Sequence, residues 1–181
     1  MLVSSPIIGS VLRLPIGEQF SELFLLDQDH NAKNYPFNLE EGKEYLVYLG
    51  VSNHMASSAY YVLKIKLGNQ TDPLPNSTIP TPSTLEPLYE YKFFVADKES
   101  WEAPLAFSIS NVDFVGNRSV INGIAINNVE YAVNKISEWK TEDTGFYFKL
   151  FVELWIFNPQ FDSIEFHNRF VALKLNITQT V

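Results

Sequence analysis

Residues 20–67, with the sequence FSELFLLDQDHNAKNYPFNLEEGKEYLVYLGVSNHMASSAYYVLKIKL, decide the fold that this chain is predicted to adopt. The stretch reads as three strands separated by two polar turns. Its middle strand has an alternate row of apolar and aromatic side chains: Tyr45, Val47, Leu49 and Val51. Because successive side chains of a strand point to opposite faces, this row is expected to line a core. The intervening residues are uncharged, so we expect the strand to be covered on both faces.

The third strand of this stretch is predicted to have one solvated face. Lys64 and Lys66 alternate there with four apolar residues, Tyr61, Leu63, Ile65 and Leu67. Such alternation is typical of a strand that is buried on one side only. The three strands together predict the beginning of a β-sandwich.

The C-terminal part of the chain shows the strand pattern in its clearest form. An unbroken alternate row consists of Phe146, Phe148, Leu150, Val152, Leu154 and Ile156. Beyond a turn at residues 158–162, the apolar positions change phase between Phe166 and Val171. This shift predicts a β-bulge near residues 168–170.

The middle of the chain is less regular. Tyr89, Tyr91, Phe93 and Val95 predict one half-buried strand. Trp101 follows a polar turn, and a separate short strand is expected through Leu105, Phe107 and Ile109. Residues 119–137 fit helical spacing, but they also contain four residues that disfavour helices and favour hairpins: Asn122, Gly123, Asn127 and Asn128. We interpret this segment as a hairpin.

Residues 69–87 interrupt the strand pattern with the sequence NQTDPLPNSTIPTPSTLEP, which contains five of the ten prolines. Proline lacks a backbone donor, so this segment is neither a central strand nor a helix. It is either a linker between two domains or a long loop within one sandwich, and we favour the loop. The predicted fold is an all-β, Ig-like β-sandwich of about seven to ten mostly antiparallel strands. Its predicted organisation is an extended N-terminal segment, residues 1–16, followed by one domain, residues 17–181.

Composition restricts the partners of the chain. The net charge is −8 and the isoelectric point is about 4.8, which argues against nucleic acid, whose phosphates require Lys and Arg. No run of about 20 apolar residues occurs, so a membrane would be reached only through flanking segments that this sequence lacks. The N-terminus has no signal-peptide pattern. Either a targeting segment has been removed or the chain is an excerpt of a longer protein.

Four Asn-x-Ser/Thr sequons suggest an extracellular or cell-surface location: Asn69, Asn76, Asn117 and Asn176. Two of them lie in the proline-rich segment, where exposure is expected. The chain has no cysteine, which excludes a disulfide framework, a thiolate zinc site and a cysteine nucleophile.

No pattern identifies a catalytic, cofactor or metal site. Asp27, Asp29 and Asn31 match the first ligand spacings of a calcium loop, but Ala32 and Asn38 stand where glycine and glutamate are expected. A hairpin turn explains the same residues. The three histidines, His30, His54 and His167, each stand alone and are expected at turns or on the surface. Trp101, Trp139 and Trp155 could stack on sugars, although packing in or beside the core is the commoner role.

The N-terminal segment is apolar and punctuated by proline. Its apolar side chains are Leu2, Val3, Ile7, Ile8, Val11, Leu12, Leu14 and Ile16. Burying such side chains stabilises a protein by about 1.5–3 kcal/mol each, so the segment is expected to find a protein surface. It is either the first strand of its own sheet or a strand that pairs with a neighbouring subunit. Pairing with a neighbour is head-to-tail and builds filaments.

The order of motifs in residues 17–110 resembles an uncharacterised family, the mostly archaeal domain-of-unknown-function family 1616. The matching residues of its first motif are Phe20, Glu22, Phe24, Ala32, Asn34, Tyr35, Pro36, Asn38, Leu39, Gly42, Val51, Asn53 and His54. Its second motif resembles SWEAPLAFSI, through Trp101, Glu102, Pro104 and Phe107. The resemblance implies an Ig-like module on the outer face of a membrane, commonly attached to transmembrane helices, and it brings no catalytic residues.

We therefore expect a non-catalytic cell-surface structural or adhesive module, a subunit that assembles with itself or with other cell-surface proteins. The alternative is a ligand-binding ectodomain of a membrane protein, with sugar as one candidate ligand. No cofactor and no metal are expected in either case.

Overall fold

The computed structural model describes residues 19–141 and 144–178, in which all regular structure is β-strand. The ten strands, in chain order, are β1 (Phe20–Leu26), β2 (Asn38–Leu39), β3 (Glu44–His54), β4 (Ala59–Asn69), β5 (Tyr89–Val95), β6 (Ser100–Val115), β7 (Arg118–Ile126), β8 (Val129–Glu138), β9 (Phe146–Asn158) and β10 (Ser163–Ile177). The predicted all-β class is confirmed.

The strands form two five-stranded sheets. Sheet 1 has the order β1-β3-β6-β7-β8, and sheet 2 has the order β2-β10-β9-β4-β5. All pairs are antiparallel except β2 and β10, which run parallel at Asn38–Leu39 and Asn176–Ile177. β1 therefore belongs to one sheet and β2 to the other, so the chain crosses between the two layers over residues 27–37.

One apolar core lies between the sheets. The two predicted rows, of β3 and β9, both line it: Val47, Leu49 and Val51 are fully buried, as are Phe148 and Leu154, and Tyr45 and Phe146 pack at its border. Large side chains from both layers fill the centre, including Tyr61, Phe107, Ile109 and Ile124. Sheet-on-sheet packing of this kind is the arrangement that alternating strands predict.

Two local predictions are confirmed. β7 and β8 form a hairpin whose turn residues, Asn127 and Asn128, both have positive φ angles, 49° and 64°. Asn tolerates the left-handed region better than most residues, and two such residues in succession make a tight hairpin turn. The pairing of β9 with β10 shifts register between Phe166 and Arg169, and Asn168 has a φ of 54°. The bulge therefore lies where the apolar phase changes.

Three local predictions were wrong in part. Trp101 follows a turn at residues 97–98, as predicted, but the strand beyond the turn is not short, because Ser100–Val115 is one continuous strand. The outer face of β3 is covered by the ring of Phe24, which lies over Gly50, but Leu46 is exposed. Lys66 was expected on a solvated face, yet its side chain is 3% exposed because residues of the proline-rich segment cover it.

The proline-rich segment connects two neighbours of the same sheet. β4 and β5 pair along seven positions, from Ala59↔Val95 to Ile65↔Tyr89, and residues 70–88 lie between them in sequence. At its end, the Leu88 amide donates to the Ile65 carbonyl oxygen at 2.8 Å. The segment is thus attached to sheet 2 at both ends.

Candidate interaction surface and glycosylation positions

Among the residues described, the outer edge of β10 is the longest edge of sheet 2 that lacks a strand partner. On the side away from β9, β10 pairs only at Asn176 and Ile177, with the short β2, among the residues described. The Asn176 amide donates to the Phe37 carbonyl oxygen at 2.7 Å, so the amides at alternate positions upstream, including that of Ala172, point to the same side. A strand edge with free donors and acceptors is a template for pairing with another segment.

The facing edge of sheet 1 is capped by side chains. The guanidinium of Arg169 donates to the Ser21 carbonyl oxygen, and the Tyr35 hydroxyl donates to the Leu25 carbonyl oxygen at 2.7 Å. Both carbonyl groups lie on the side of β1 that has no strand partner. These bonds occupy acceptors that an added strand would need.

A buried chain of polar groups joins the two sheets beside the bulge of β10. His167 Nε2 shares a hydrogen bond of 3.0 Å with Ser21 Oγ, which shares one of 2.7 Å with the Tyr61 hydroxyl. That hydroxyl donates to Asn53 Oδ1 at 3.1 Å. Burial lowers the pKa of His167 from its usual value, and the positive charge of Arg169 lowers it further. His167 is therefore a packed residue rather than the isolated surface histidine that was expected.

A buried ion pair holds the proline-rich segment on the outer face of sheet 2. Lys66 Nζ lies 2.9 Å from Glu153 Oε2, with side-chain exposures of 3% and 0%. The same ammonium donates to the Ser83 carbonyl oxygen at 2.9 Å, and the Ser83 amide donates to Glu153 Oε1 at 2.6 Å. Trp155 Nε1 donates to the other carboxylate oxygen. Every polar atom of this buried pair has a partner, as such a pair requires.

A second attachment involves Asp72. Its carboxylate accepts a hydrogen bond from Lys135 at 3.0 Å, and its carbonyl oxygen accepts one from Lys149 at 2.6 Å. Burial alone would raise the pKa of Asp72, but hydrogen bonds from the Asn69 amide and Lys135, with the charges of Lys135 and Lys149, hold that pKa below its usual value. The segment is thus fixed to β8 and β9 as well as to β4.

The other half of the same outer face is uncovered in the described residues. We call it the aromatic patch, and it consists of Tyr60, Phe94, Phe157 and Ile164. Phe94 is 75% exposed, and its ring centroid lies 4.8 Å from that of Tyr60. The patch lines a shallow cavity of about 520 Å³, with Asp162 and Ser163 at its rim.

The sequons occupy different environments. Asn76 is exposed, and its Oδ1 accepts the amides of Thr78 and Ile79. Asn69 is partly buried, and its Oδ1 accepts the Thr71 amide and hydroxyl. Asn117 is exposed in the β6–β7 turn, but the hydroxyl of its sequon, Ser119 Oγ, is buried without a hydrogen-bond partner.

Asn176 lies within β10 and is engaged on both sides. Its Nδ2 donates to Asn38 Oδ1 at 2.9 Å, and its Oδ1 accepts the Phe146 amide at 3.0 Å. The amide nitrogen that would carry a glycan is therefore used in the fold. The predicted strand-exchange residues, Leu2 to Ile16, lie outside the described residues.

The chemical candidates have structural explanations. Asp27 is buried, and its Oδ1 accepts the amides of Asp29 and Asn31, which is the hydrogen bonding of a turn. No group of three potential metal ligands occurs in the described ranges. The indole of Trp101 stacks on Phe93 with ring centroids 3.7 Å apart and an interplanar angle of 5°. One aromatic face of Trp101 is therefore used inside the sandwich.

Lys66 and Glu153 are the functional residues that sequence reasoning missed. One signal was present, because Glu153 stands alone in the apolar run LFVELWI of β9. A carboxylate in such a row needs a cationic partner when it is buried. Alternation alone could not identify Lys66 as that partner, since the cover comes from a loop that is distant in sequence.

The arrangement defines an all-β sandwich protein with a pinned proline-rich loop, an open strand edge and no recognisable reaction centre among the residues described. The chain belongs to the family called Domain of unknown function (DUF1616), whose model matches residues 15–117. The predicted family is thereby confirmed. No helix in the described ranges is long and apolar enough to cross a membrane.

Solved structures with a similar arrangement include the beta-glucosidase from Listeria innocua. Its complexes with isofagomine and with glucose both have a TM-score of 0.46, with 11% and 10% sequence identity. The matches cover 88% and 90% of this chain, but the chain spans only 16% of the glucosidase chain in both cases. None of the curated proteins matches this chain.

Proposed function

We propose that the chain is a non-catalytic, extracytoplasmic structural or adhesive module of the cell surface, which assembles into filaments by β-strand addition. In this proposal, residues 1–16 of one subunit pair with the free edge of β10 in the next. The observation that carries it is that edge, which is paired on its outer side only at Asn176 and Ile177 in the described chain.

The β10 edge fits a donor strand better than the other edges do. The edge of β1 has its carbonyl groups capped by Arg169 and Tyr35. β5 carries the Lys92–Glu90 ion pair, and β8 carries a lysine between glutamates. Charged side chains on an edge strand oppose pairing with a second chain.

The side chains of β10 also suit an added strand. Ala172 is small and exposed, and Val171 packs on the core while remaining only partly buried. The two cationic side chains nearby are turned away from the edge, since Arg169 bonds to Ser21 and Lys174 lies over the ring of Tyr147. A donor with alternate apolar residues, such as Leu12, Leu14 and Ile16, could therefore complete the core beside Val171.

The proposed location rests on the four Asn-x-Ser/Thr sequons. Asn76 is exposed on the loop that is pinned across sheet 2. The alternative, a ligand-binding ectodomain, would need a cleft with a free aromatic platform. Trp101 does not supply it, because Phe93 covers one face of its ring.

Deleting residues 1–16 tests the proposal. Electron microscopy of the intact chain at high concentration should show polymers, and the deletion should leave a monomeric, less stable β protein because the apolar donor is lost. Ala172→Pro should also prevent polymers, since proline removes an amide from the acceptor edge. Ala172→Ser is the matched control and should still polymerise.

Two results would overturn the filament proposal. One is an intact chain that stays monomeric at high concentration. The other is a set of polymers that persists after the deletion, because the donor would then lie elsewhere in the chain.

A further inference from the structure

One half of the outer face of sheet 2 is covered by the proline-rich segment, and the apolar surface of that face continues beyond the cover. Its apolar side chains continue from the half beneath the proline-rich segment to the aromatic patch, through Val62, Trp155 and Phe166 on β4, β9 and β10. On the first half, the cover is an irregular, proline-punctuated segment that buries Lys66 and Glu153. The second half exposes Phe94, Phe157 and Ile164 by 75%, 37% and 40%. Clustered exposure of large apolar side chains marks a contact surface.

β1, the first described strand, begins at the end of the sandwich where this patch lies. β1 begins at Phe20, which pairs with His54 and stacks on its ring at 4.6 Å. β3 ends at His54, and β4 begins five residues after it, at Ala59, next to the patch residue Tyr60. Ser21 also contacts His167 of β10. The patch residue Ile164 lies three residues before His167 on that strand, which is about 10 Å at 3.3 Å per residue.

The segment is long enough to reach and cross the patch. A path from the edge of β1 to the patch crosses the gap between the two sheets, which is about 10 Å, and then about three strands of sheet 2, which together span about 15 Å. About eight extended residues span that distance, whereas residues 1–18 span up to about 60 Å. Some ten residues remain to lie on the patch.

The chemistry of the segment matches the surface. Eight of its side chains are Leu, Ile or Val, and Arg13 is its only cationic side chain. The rim of the patch carries one anion, Asp162, on the β9–β10 turn. Pro6 and Pro15 suit an irregular cover, as the prolines of residues 69–87 do on the other half.

We propose that residues 1–18 fold back over the aromatic patch of their own chain and hold the free subunit in a capped, monomeric state. A short tether gives an effective concentration of about millimolar, so in dilute solution the segment stays on its own patch, and it passes to a neighbouring subunit only when subunits are concentrated. Capping does not depend on later strand exchange, so it stands or falls separately from the filament proposal.

Disulfide mapping tests this inference, since the chain contains no cysteine of its own. Ser163→Cys, at the rim of the patch, is combined with Ser4→Cys, Ser5→Cys or Ser10→Cys in the full-length chain. Each change replaces one oxygen by sulfur, so the fold should persist. Mild oxidation of the monomer fraction should give an intramolecular disulfide in at least one pair. The yield should be about tenfold above a control that has the same tether, because docking on the patch keeps the two thiols close.

The control places the second thiol at Ser108→Cys, a partly exposed serine of β6 that pairs with Glu44 at the opposite end of β3. Phe94→Ser, added to the reactive pair, should lower the yield towards that of the control because it removes the most exposed side chain of the patch. Yields equal to the Ser108 control for all three segment positions would overturn the inference. Disulfides that join two chains instead of closing one would overturn it as well.

Discussion

Ser21 is the residue at which the polar interior of this sandwich converges. Its hydroxyl meets the Tyr61 hydroxyl and His167, and its carbonyl group accepts the guanidinium of Arg169. Ser21, Tyr61 and Asn53 are all fully buried. Buried polar groups cost free energy unless each finds a partner, and here four strands supply one another's partners. Asn53, one of the family motif residues, thus holds the end of β3 to the core.

The depressed pKa of His167 predicts that acid destabilises the protein. Burial, aided by Arg169, favours the neutral ring in the folded state, whereas the unfolded ring titrates near 6.5. As the pH falls through 6.5 towards the lower folded pKa, the unfolded state binds the proton first, so the free energy of unfolding decreases. Below the folded pKa this contribution levels off. Urea unfolding across this range measures the decrease.

His167→Gln should remove that part of the pH dependence, since glutamine does not titrate. His54→Gln is the control for replacing a histidine, because His54 stacks on Phe20 outside the polar chain. If His167→Gln keeps the full acid sensitivity of the parent protein, the effect belongs to other groups.

At the scale of elements, the proline-rich segment behaves as part of sheet 2. Its Ser83 contacts both members of the buried ion pair, and its Asp72 contacts Lys135 and Lys149. A surface loop is usually mobile because few contacts hold it. These contacts come from β4 and β9 of sheet 2 and from β8 of sheet 1, so both sheets hold the segment.

Lys66→Met should destabilise the protein by about 3–5 kcal/mol, because it leaves the carboxylate of Glu153 buried without its cation. The measurement is the free energy of unfolding in urea, with the rate of proteolysis in residues 70–88 as a second readout. The double variant Lys66→Met/Glu153→Gln should recover much of the loss, since glutamine is neutral and still accepts from the Ser83 amide.

Lys92→Met is the matched control on the same face of sheet 2. Lys92 is 57% exposed and paired with Glu90, and exposed pairs contribute about 0–1 kcal/mol. Equal losses for Lys66→Met and Lys92→Met would contradict the role given to the buried pair.

Elements with local signals were predicted well from the sequence. The β7–β8 hairpin follows from Asn127 and Asn128, whose backbone conformations few other residues adopt readily. The β10 bulge follows from a change of apolar phase. What depends on distant contacts was not predicted: the cover over Lys66 comes from residue 83, and the burial of His167 comes from β1. Pairing with β3 extends the strand that includes Trp101. The turn-forming residues before Trp101 gave no indication of that length.

For the whole molecule, the candidate modification sites are now ranked by structure. Asn76 should be the most fully glycosylated in the native host, because it is exposed on a fixed loop. Asn69 should follow, while Asn117 should be modified less because the Ser119 hydroxyl is buried. Asn176 should carry no glycan, since its amide bonds to Asn38. Glycopeptide mapping and intact mass of native material measure these occupancies.

Thr78→Ala should remove one glycan by destroying the Asn76 sequon, whereas Asn176→Gln should leave the mass of the glycans unchanged. An entirely unmodified native chain would remove the main argument for an extracytoplasmic location. A glycan on Asn176 would show that modification precedes formation of the β2–β10 pair.

The positions of the two ends of the described chain have a mechanical consequence. Residues 20 and 178 lie at opposite ends of the sandwich, so a pull between them runs along the strands. The hydrogen bonds of β1 with β3, and those of β10 with β9 and β2, lie across that pull and are loaded together in shear. Hydrogen bonds loaded in shear must break together, whereas bonds loaded from one end of a strand break one after another. A tensile load therefore meets its resistance at both terminal strands before it reaches the core.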